Sequence, residues 1–340
     1  MKIALDATYS AGPNLSGVGV YSREILHGLA HMHPDPGVRW LWCYRPHRFL
    51  KSLRIGLPRR CGRRLLLDRL VPDAALFHGL NQRLPSTPLR RSVTTFHDLF
   101  VLTGEYSSPE FRQRFAEQAR QAAARSDLII AVSAFTAGQV EQLLGVERSR
   151  IRVVPHGVHP SSPGIPEKII LSVGALQKRK NTIRLVEAFE RCPPGWKLVL
   201  AGSHGYEAGE ALSRIEASPR RADIELTGYV DDVTLQGWYG RAGIFAFPSL
   251  DEGFGMPVLE AMSRGIPVLT SNRGALPEVS LDAALLVDPE STGAIADGLR
   301  RLITDESLQQ TLRRKGLLRA AQFSWENAVK RTWQVYLELV

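Results

Sequence analysis

GIFAFPSLDEGFGMPVLEAMSRGIPVLTS, residues 243–271, decides the fold: two apolar runs enclose a Gly-Phe-Gly turn with a glutamate on either side. GIFAFPS (243–249) and IPVLTS (266–271) lack polar alternation, the pattern of parallel strands covered on both faces. Pro257 suits a first helical turn, where its missing N–H is not needed. The spacing predicts a helix after Gly255 that runs through Ala261 and stops at Gly265. DEGFG therefore falls at the carboxyl end of a parallel strand, where open α/β sheets take ligands.

The same rhythm extends upstream to KIILSVGA (168–175), a helix from about Thr182 to Cys192, KLVLAGS (197–203) and DIELTGYV (223–230). Before it, HPSSPGIPEK (159–168) packs three prolines, a glycine and two serines into ten residues and reads as a linker. The first half repeats the alternation. KIALDA (2–7), VRWLWCYR (38–45), ALFHG (75–79), SVTTFHD (92–98), DLIIAVS (127–133) and IRVVPHGV (151–158) read as strands. Helices are predicted over 20–32, 109–126 and 134–145, the last capped by Gly145. Two doubly wound parallel sheets follow, over 1–163 and 164–322. In the tail, Trp325, Ala328, Val329, Trp333, Tyr336 and Leu337 share one helical face that must be buried.

At 340 residues the chain is long for a single core, and 44% apolar and 23% charged residues place it among globular proteins. No apolar run is long enough to cross a bilayer, and MKIALDATYS lacks the features of a signal peptide, so a cytoplasmic protein is expected. Cys43, Cys61 and Cys192 fit no metal or disulfide spacing. The net charge of +9 sits almost entirely in residues 45–69, where nine Lys or Arg face one acid, Asp68. With leucines interleaved, this segment reads either as a basic amphipathic element for an anionic membrane or as a solvated basic loop. It lacks stacking aromatics apart from Phe49, so nucleic acid is not the expected partner.

Gly253 and Gly255 remove side chains that would block approach to the amides at the start of the 256 helix, an arrangement that suits an anion. A carboxylate accepts hydrogen bonds from a vicinal diol, so Glu252 and Glu260 on the two sides of a phosphate site suit a sugar on each side of a diphosphate. That ligand is a nucleotide sugar. GALQKRKN (174–181) adds Arg179 and Lys180 at the end of another strand, cations that would stabilise a departing diphosphate. Gly17-Val18-Gly19 opens the first helix, but the residues between it and KIALDA, and the arginine ending VRWLWCYR, depart from the dinucleotide fingerprint. His97, after SVTTF, reads equally as a structural or a functional histidine.

In order, GVGVYS, TTFHDLF, LIIAVSAFT, VVPHGV, LSVGALQKRKN, LTGYV and FPSLDEGFGMPVLEAMSRGIPVLTSN resemble the family 4 retaining glycosyltransferases, especially bacterial mannosyltransferase-like members. The resemblance implies the GT-B fold, two facing Rossmann-like domains with the last helix (323–340) crossing back to the first. It implies that Glu260 binds the ribose hydroxyls and Glu252 lies near the donor sugar. Arg179 and Lys180 would hold the diphosphate, with backbone at Gly253, Phe254, Gly255 and Met256. Gly17 and Gly19 would approach the phosphates from the other domain, His97 would contact the transferred sugar, and the backbone near Tyr229 and Val230 would meet the base. No metal or other cofactor is implied. The implied reaction moves a hexose, first mannose from GDP-mannose, to a saccharide or lipid-linked saccharide in surface-glycan synthesis, with a peripheral membrane contact through 45–70. His156 and Ala175 depart from the residues common in the family at their positions. The alternatives are a non-catalytic nucleotide-sugar or nucleic-acid binding protein, or another GT-B enzyme such as a sugar-nucleotide epimerase.

Overall fold

The computed structural model describes residues 1–12, 14–32 and 37–340. Its secondary structure alternates as the apolar runs predict. It begins β1 (Lys2–Asp6), α1 (Gly17–Met32), β2 (Arg39–Tyr44), α2 (Pro46–Ser52), β3 (Cys61–Leu65) and β4 (Leu76–Gly79). There follow β5 (Ser92–Phe96), α3 (Phe100–Thr103), α4 (Pro109–Arg125), β6 (Leu128–Ala131), α5 (Ala134–Leu144) and β7 (Ile151–Val153). The second series is β8 (Ile169–Val173), α6 (Thr182–Glu190), β9 (Lys197–Ala201), α7 (Ala208–Glu216), β10 (Ile224–Gly228) and α8 (Asp232–Arg241). It continues with β11 (Ile244–Phe247), α9 (Met256–Met262), β12 (Val268–Ser271), α10 (Leu276–Ser280), β13 (Leu285–Val287), α11 (Thr292–Thr304), α12 (Glu306–Ala320) and α13 (Trp325–Leu337).

The chain divides into two units, one of Met1–Thr103, Pro109–Gly157 and Ser324–Val340, the other of Gly104–Ser108 and Val158–Phe323. Unit 1 holds a parallel sheet in the order β3-β2-β1-β4-β5-β6-β7. From β1 the chain winds outward through β2 and β3, then starts again at β4 on the other side, so the order switches between β1 and β4. Unit 2 repeats the plan as β10-β9-β8-β11-β12-β13, with its switch between β8 and β11. At such a point the two following loops diverge to opposite faces and leave a crevice at the strands' carboxyl ends.

Burial explains the runs. Every residue of β4, β5, β6, β11 and β12 is buried, because helices cover both faces. Helix α4 packs through Ala116, Ala119, Ala122 and Ala123, small side chains that let it lie close to the sheet. Gly145 ends α5 in the left-handed conformation at φ 66°, where glycine carries no steric cost.

Several details differ from the sequence reading. Helix α1 starts at Gly17, so Gly19 lies within it, and a methyl there would meet the Tyr9 carbonyl oxygen at 2.8 Å. The stretch 159–168 is not a free spacer: Glu167 N–H donates to the Arg241 carbonyl and Val158 N–H to the Phe323 carbonyl, so it belongs to unit 2 and the chain leaves unit 1 at Gly157. The basic segment is not one element: turns join and follow two short ones. It forms α2 and the edge strand β3, with Arg45 buried against Asp6 and Asp68 and Arg63 donating to the Ser52 and Ile55 carbonyls.

Helix α13 belongs to unit 1 and buries Trp325, Ala328, Val329, Thr332, Val335 and Tyr336. Leu337 turns outward, 54% exposed, because the buried face drifts and Thr332 and Val335 take its place. Helices α1 and α13 touch at Gly28, where a methyl would overlap the Val329 side chain. Gly138 in α5 has open space at the same position. Gly138→Ala should therefore raise stability by about 0.5–1 kcal/mol through helix propensity, whereas Gly28→Ala should lower it by about 1 kcal/mol or more in urea denaturation.

Candidate active site

The loops after β8 and β11 meet at the switch point of unit 2, and Asn181 holds them together. It adopts the left-handed conformation at φ 61°, ending a short 3-10 turn over Lys178–Lys180. Its Nδ2 donates to the Pro248 carbonyl (3.0 Å) and the Pro289 carbonyl (2.6 Å), and Leu250 N–H donates to the Arg179 carbonyl (2.8 Å). These bonds bring the KRK turn against DEGFG, seventy residues later in the chain. Nothing in the sequence reading assigned this role to Asn181.

Glu252 is 8% exposed. Arg179 Nη1 lies 2.8 Å from its Oε2 and Lys180 Nζ 2.5 Å from its Oε1, so each carboxylate oxygen takes one cation. Arg179 Nη1 also donates to the Asp251 carbonyl (2.6 Å), and Lys180 Nζ sits 4.5 Å from the Phe247 ring centroid. Burial pushes the Glu252 carboxyl up, but the two positive charges and their hydrogen bonds outweigh it and hold the pKa at about 2. The glutamate is thus ionised at neutral pH inside a nearly dry cluster. Gly274, at φ 63°, passes so close to the Glu252 backbone that a methyl would meet its carbonyl oxygen at 2.8 Å, and Ala275 N–H donates to that carbonyl.

Gly255 stands at φ 104°, and a methyl there would meet Leu276 Cδ2 at 2.6 Å, so the turn requires glycine twice over. Gly253 and Phe254 are buried, the Phe254 ring lying edge-on to Phe323, and Met256 begins α9. The helix ends at Met262, and Gly265 follows at φ 65°. Glu260 lies one turn inside it. Its Oε2 accepts from Tyr239 Oη (2.8 Å), and the Arg264 guanidinium lies over the Tyr239 ring at 4.7 Å. Burial raises the Glu260 pKa, opposed by the Tyr239 hydrogen bond and the Arg264 charge. Two glutamates eight positions apart therefore have opposite electrostatics. Tyr229 and Val230 follow β10 beyond Gly228 at φ 65°, with Tyr229 48% exposed. Tyr106, absent from the sequence reading, has its phenol pKa raised by burial and by the charge of Asp251.

In unit 1, His97 follows β5 and is 7% exposed. Its Nε2 donates to the Leu80 carbonyl at 2.9 Å, which leaves Nδ1 as the acceptor nitrogen. Burial lowers its pKa to about 4 although the Leu80 bond opposes this, so the ring is neutral at pH 7. His156 stacks on it with centroids 5.3 Å apart, and Tyr21 lies edge-on to both. Gly17 is the first residue of α1 and exposed, while Gly19 is buried. Among the described residues no group of three or more His, Cys, Asp or Glu is placed to hold a metal ion, and no helix is long and apolar enough to cross a membrane.

Fold and site together define a doubly wound α/β protein with a buried charge cluster at a strand switch point. The model of glycosyl transferases group 1 matches residues 160–319, and that of Glycosyltransferase Family 4 matches residues 16–162. Over 283 residues, 77% of the chain, it is 34% identical to the O-antigen chain mannosyltransferase B of Escherichia coli, covering 74% of that protein. The serotype-specific mannosyltransferase WbdA of Escherichia coli is 28% identical over 262 residues, 70% of this chain and 32% of WbdA. Sucrose-phosphate synthase from Thermosynechococcus elongatus has the same fold at TM-score 0.81 and 21% identity, with 100% of this chain and 99% of that one covered. Anabaena HepE in complex with UDP-glucose follows at TM-score 0.75 and 18% identity, with 99% and 100% covered. The chain belongs to the family 4 glycosyltransferases, and its fold is GT-B.

Glu252→Gln removes the counter-charge of two nearly buried cations and should cost about 3 kcal/mol at pH 7. Because the native carboxyl is depressed, its stabilisation is complete above about 4.5 and is lost as pH falls toward about 2. Urea denaturation of both proteins at pH 7 and pH 3 should show the gap narrowing at the lower pH. A gap independent of pH would mean that the charge cluster does not stabilise the fold.

Proposed function

We propose that this glycosyltransferase moves a hexose, with mannose from GDP-mannose as the first assignment, to a saccharide or lipid-linked saccharide acceptor with retention of configuration. One observation carries this reading: the Glu252 carboxylate is held between Arg179 and Lys180 at the switch point of unit 2. The 34% identity to an O-antigen chain mannosyltransferase supports the choice of sugar and of surface-glycan synthesis.

In this reading Arg179 and Lys180 hold the donor diphosphate. A guanidinium has five N–H donors and an ammonium three, the donor chemistry that phosphate oxygens take. Glu252 orients the donor sugar, and Glu260, whose Oε2 is taken by Tyr239, offers Oε1 to the ribose hydroxyls. Backbone at Gly253, Phe254, Gly255 and Met256 completes the phosphate contacts, and that at Tyr229 and Val230 meets the base. In unit 1, Gly17, Gly19 and His97 keep the roles that the family resemblance implies for them. The bond from the anomeric carbon to the diphosphate breaks, and the acceptor oxygen bonds that carbon on the same face. The acceptor's proton passes to a departing phosphate oxygen. The two fixed cations take up the charge that grows on the diphosphate, and no metal is assigned to the step.

Lys180→Ala should lower kcat for GDP-mannose turnover by roughly 100-fold or more, with activity persisting in EDTA. Release of GDP with and without acceptor is the measurement. Turnover near the wild-type rate in Lys180→Ala would remove the assigned role of the cations.

The same reading has the protein work in the cytoplasm at the inner membrane face. Leu50, Leu53, Leu65, Leu67 and Leu70 are exposed beside Lys51, Arg54, Arg59, Arg60, Arg64 and Arg69, which are exposed as well. Such a surface suits anionic headgroups through charge and the acyl boundary through leucine. Sedimentation with phosphatidylglycerol vesicles should be lost in Leu50→Glu/Leu70→Glu and weakened by salt. Equal sedimentation of the variant would exclude the contact.

A further inference from the structure

Unit 1 carries a groove of about 740 Å³ between α4 and the connection from β4 to β5, lined among others by Tyr9, Asn81, Phe111, Arg114, Gln118 and Gln121. Its volume is within the range of sites that enclose a ligand of drug size. Tyr9 follows β1, Asn81 follows β4 and Phe111 lies in the first turn of α4, so one end sits at the strands' carboxyl edge, at the β1/β4 switch. The other end follows α4 down to Arg125 at the amino edge, beside the start of β6.

The lining chemistry is that of a polyhydroxyl binder. Tyr9 and Phe111 are 37% and 41% exposed, offering flat apolar surface for the C–H faces of pyranose rings. Three amides are each pinned through one atom. Asn81 Oδ1 accepts from Gln82 N–H (2.9 Å), which leaves the Asn81 NH2 group as a donor. Gln118 Nε2 donates to the Gln82 carbonyl (3.0 Å) and Gln121 Nε2 to Glu117 Oε1 (2.5 Å), which leaves both amide oxygens as acceptors. Oriented donors and acceptors side by side match hydroxyl groups, which do both.

The arginines of the groove already have partners within the fold. Arg83 pairs with Asp68 at 3.7 Å, and Arg125 donates to the Pro85 and Thr87 carbonyls, so these cations are committed within the fold. Arg114 lies over the Phe111 ring at 5.6 Å, its charge turned to the ring face. The groove also adjoins the residue assigned to the transferred sugar. The carbonyl that binds His97 Nε2 belongs to Leu80, the neighbour of Asn81.

We propose that this groove binds the acceptor glycan over several sugar units, with the end to be extended toward Asn81 and Leu80 and the chain lying along α4. This rests on the reading of the protein as a saccharide-extending transferase and adds where the acceptor is measured. The enzyme then prefers longer acceptors because each further ring gains a contact along α4.

The test uses the full chain and a ladder of α-linked mannose oligosaccharides from the disaccharide to the hexasaccharide, with maltooligosaccharides alongside, read by calorimetry and by acceptor KM with GDP-mannose. Wild-type affinity should rise along one ladder, and Phe111→Ala should weaken the longest member about tenfold and flatten the dependence on length. Gln118→Ala, checked by circular dichroism, should do the same more weakly. If GDP-mannose is not turned over but length-dependent binding is present and lost in Phe111→Ala, the functional reading fails and the groove stands. Turnover with affinity independent of length, or unaltered in both variants, overturns the groove.

Discussion

The two bonds that place Arg179 and Lys180 on the Glu252 carboxylate organise unit 2. A carboxylate with so little exposure stays ionised only beside compensating charge, and one cation would leave the other oxygen unsatisfied. Two strands must therefore deliver their loops to one place, which the switch between β8 and β11 does. Around that requirement lie the features that allow close approach: Asn181 in the left-handed region, Gly255 beyond the reach of any side chain, and Gly274 against the Glu252 backbone. Charges fixed in this way keep their orientation without help from solvent.

Glu260 shows the complementary case. It lies one helical turn from the same Gly-Phe-Gly bend, yet its nearest partners are a phenol and an arginine whose charge is already directed at a ring and at backbone. Its pKa moves up where that of Glu252 moves down. Two carboxylates in one short motif thus acquire different chemistry from their neighbours, and those neighbours come from α8, from Arg264 just past α9 and from the loop after β8.

Much of this was legible in the chain. Strand runs such as IIL and IFAF announce themselves because burial on both faces leaves no room for polar alternation, and Pro257 and Gly145 mark helix boundaries through backbone geometry alone. What was not legible follows a pattern. Strand β13 is apolar but spans only three residues, and β3 is an edge strand carrying Arg63 and Arg64, so one is too short to stand out and the other has no apolar run. Arg45, read as one more surface charge, is buried because Asp6 and Asp68 arrive beside it from distant positions. In the candidate site, the glutamates, Arg179 and Lys180 were identifiable from spacing, whereas Asn181, Gly274 and Tyr106 were not, because their roles consist of contacts to segments far along the chain.

The sequence by itself determined the alternation of strands and helices, the two sheets and the loops that carry charge, since these depend on periodicity and on backbone preferences of single residues. Only the tertiary structure decided which charges meet. It set Glu252 between two cations and Glu260 beside a tyrosine, and opened a groove between α4 and the β4–β5 connection. The reason is physical: charge, burial and hydrogen bonding at a site are sums over neighbours in space, and sequence order specifies those neighbours only through the packed fold.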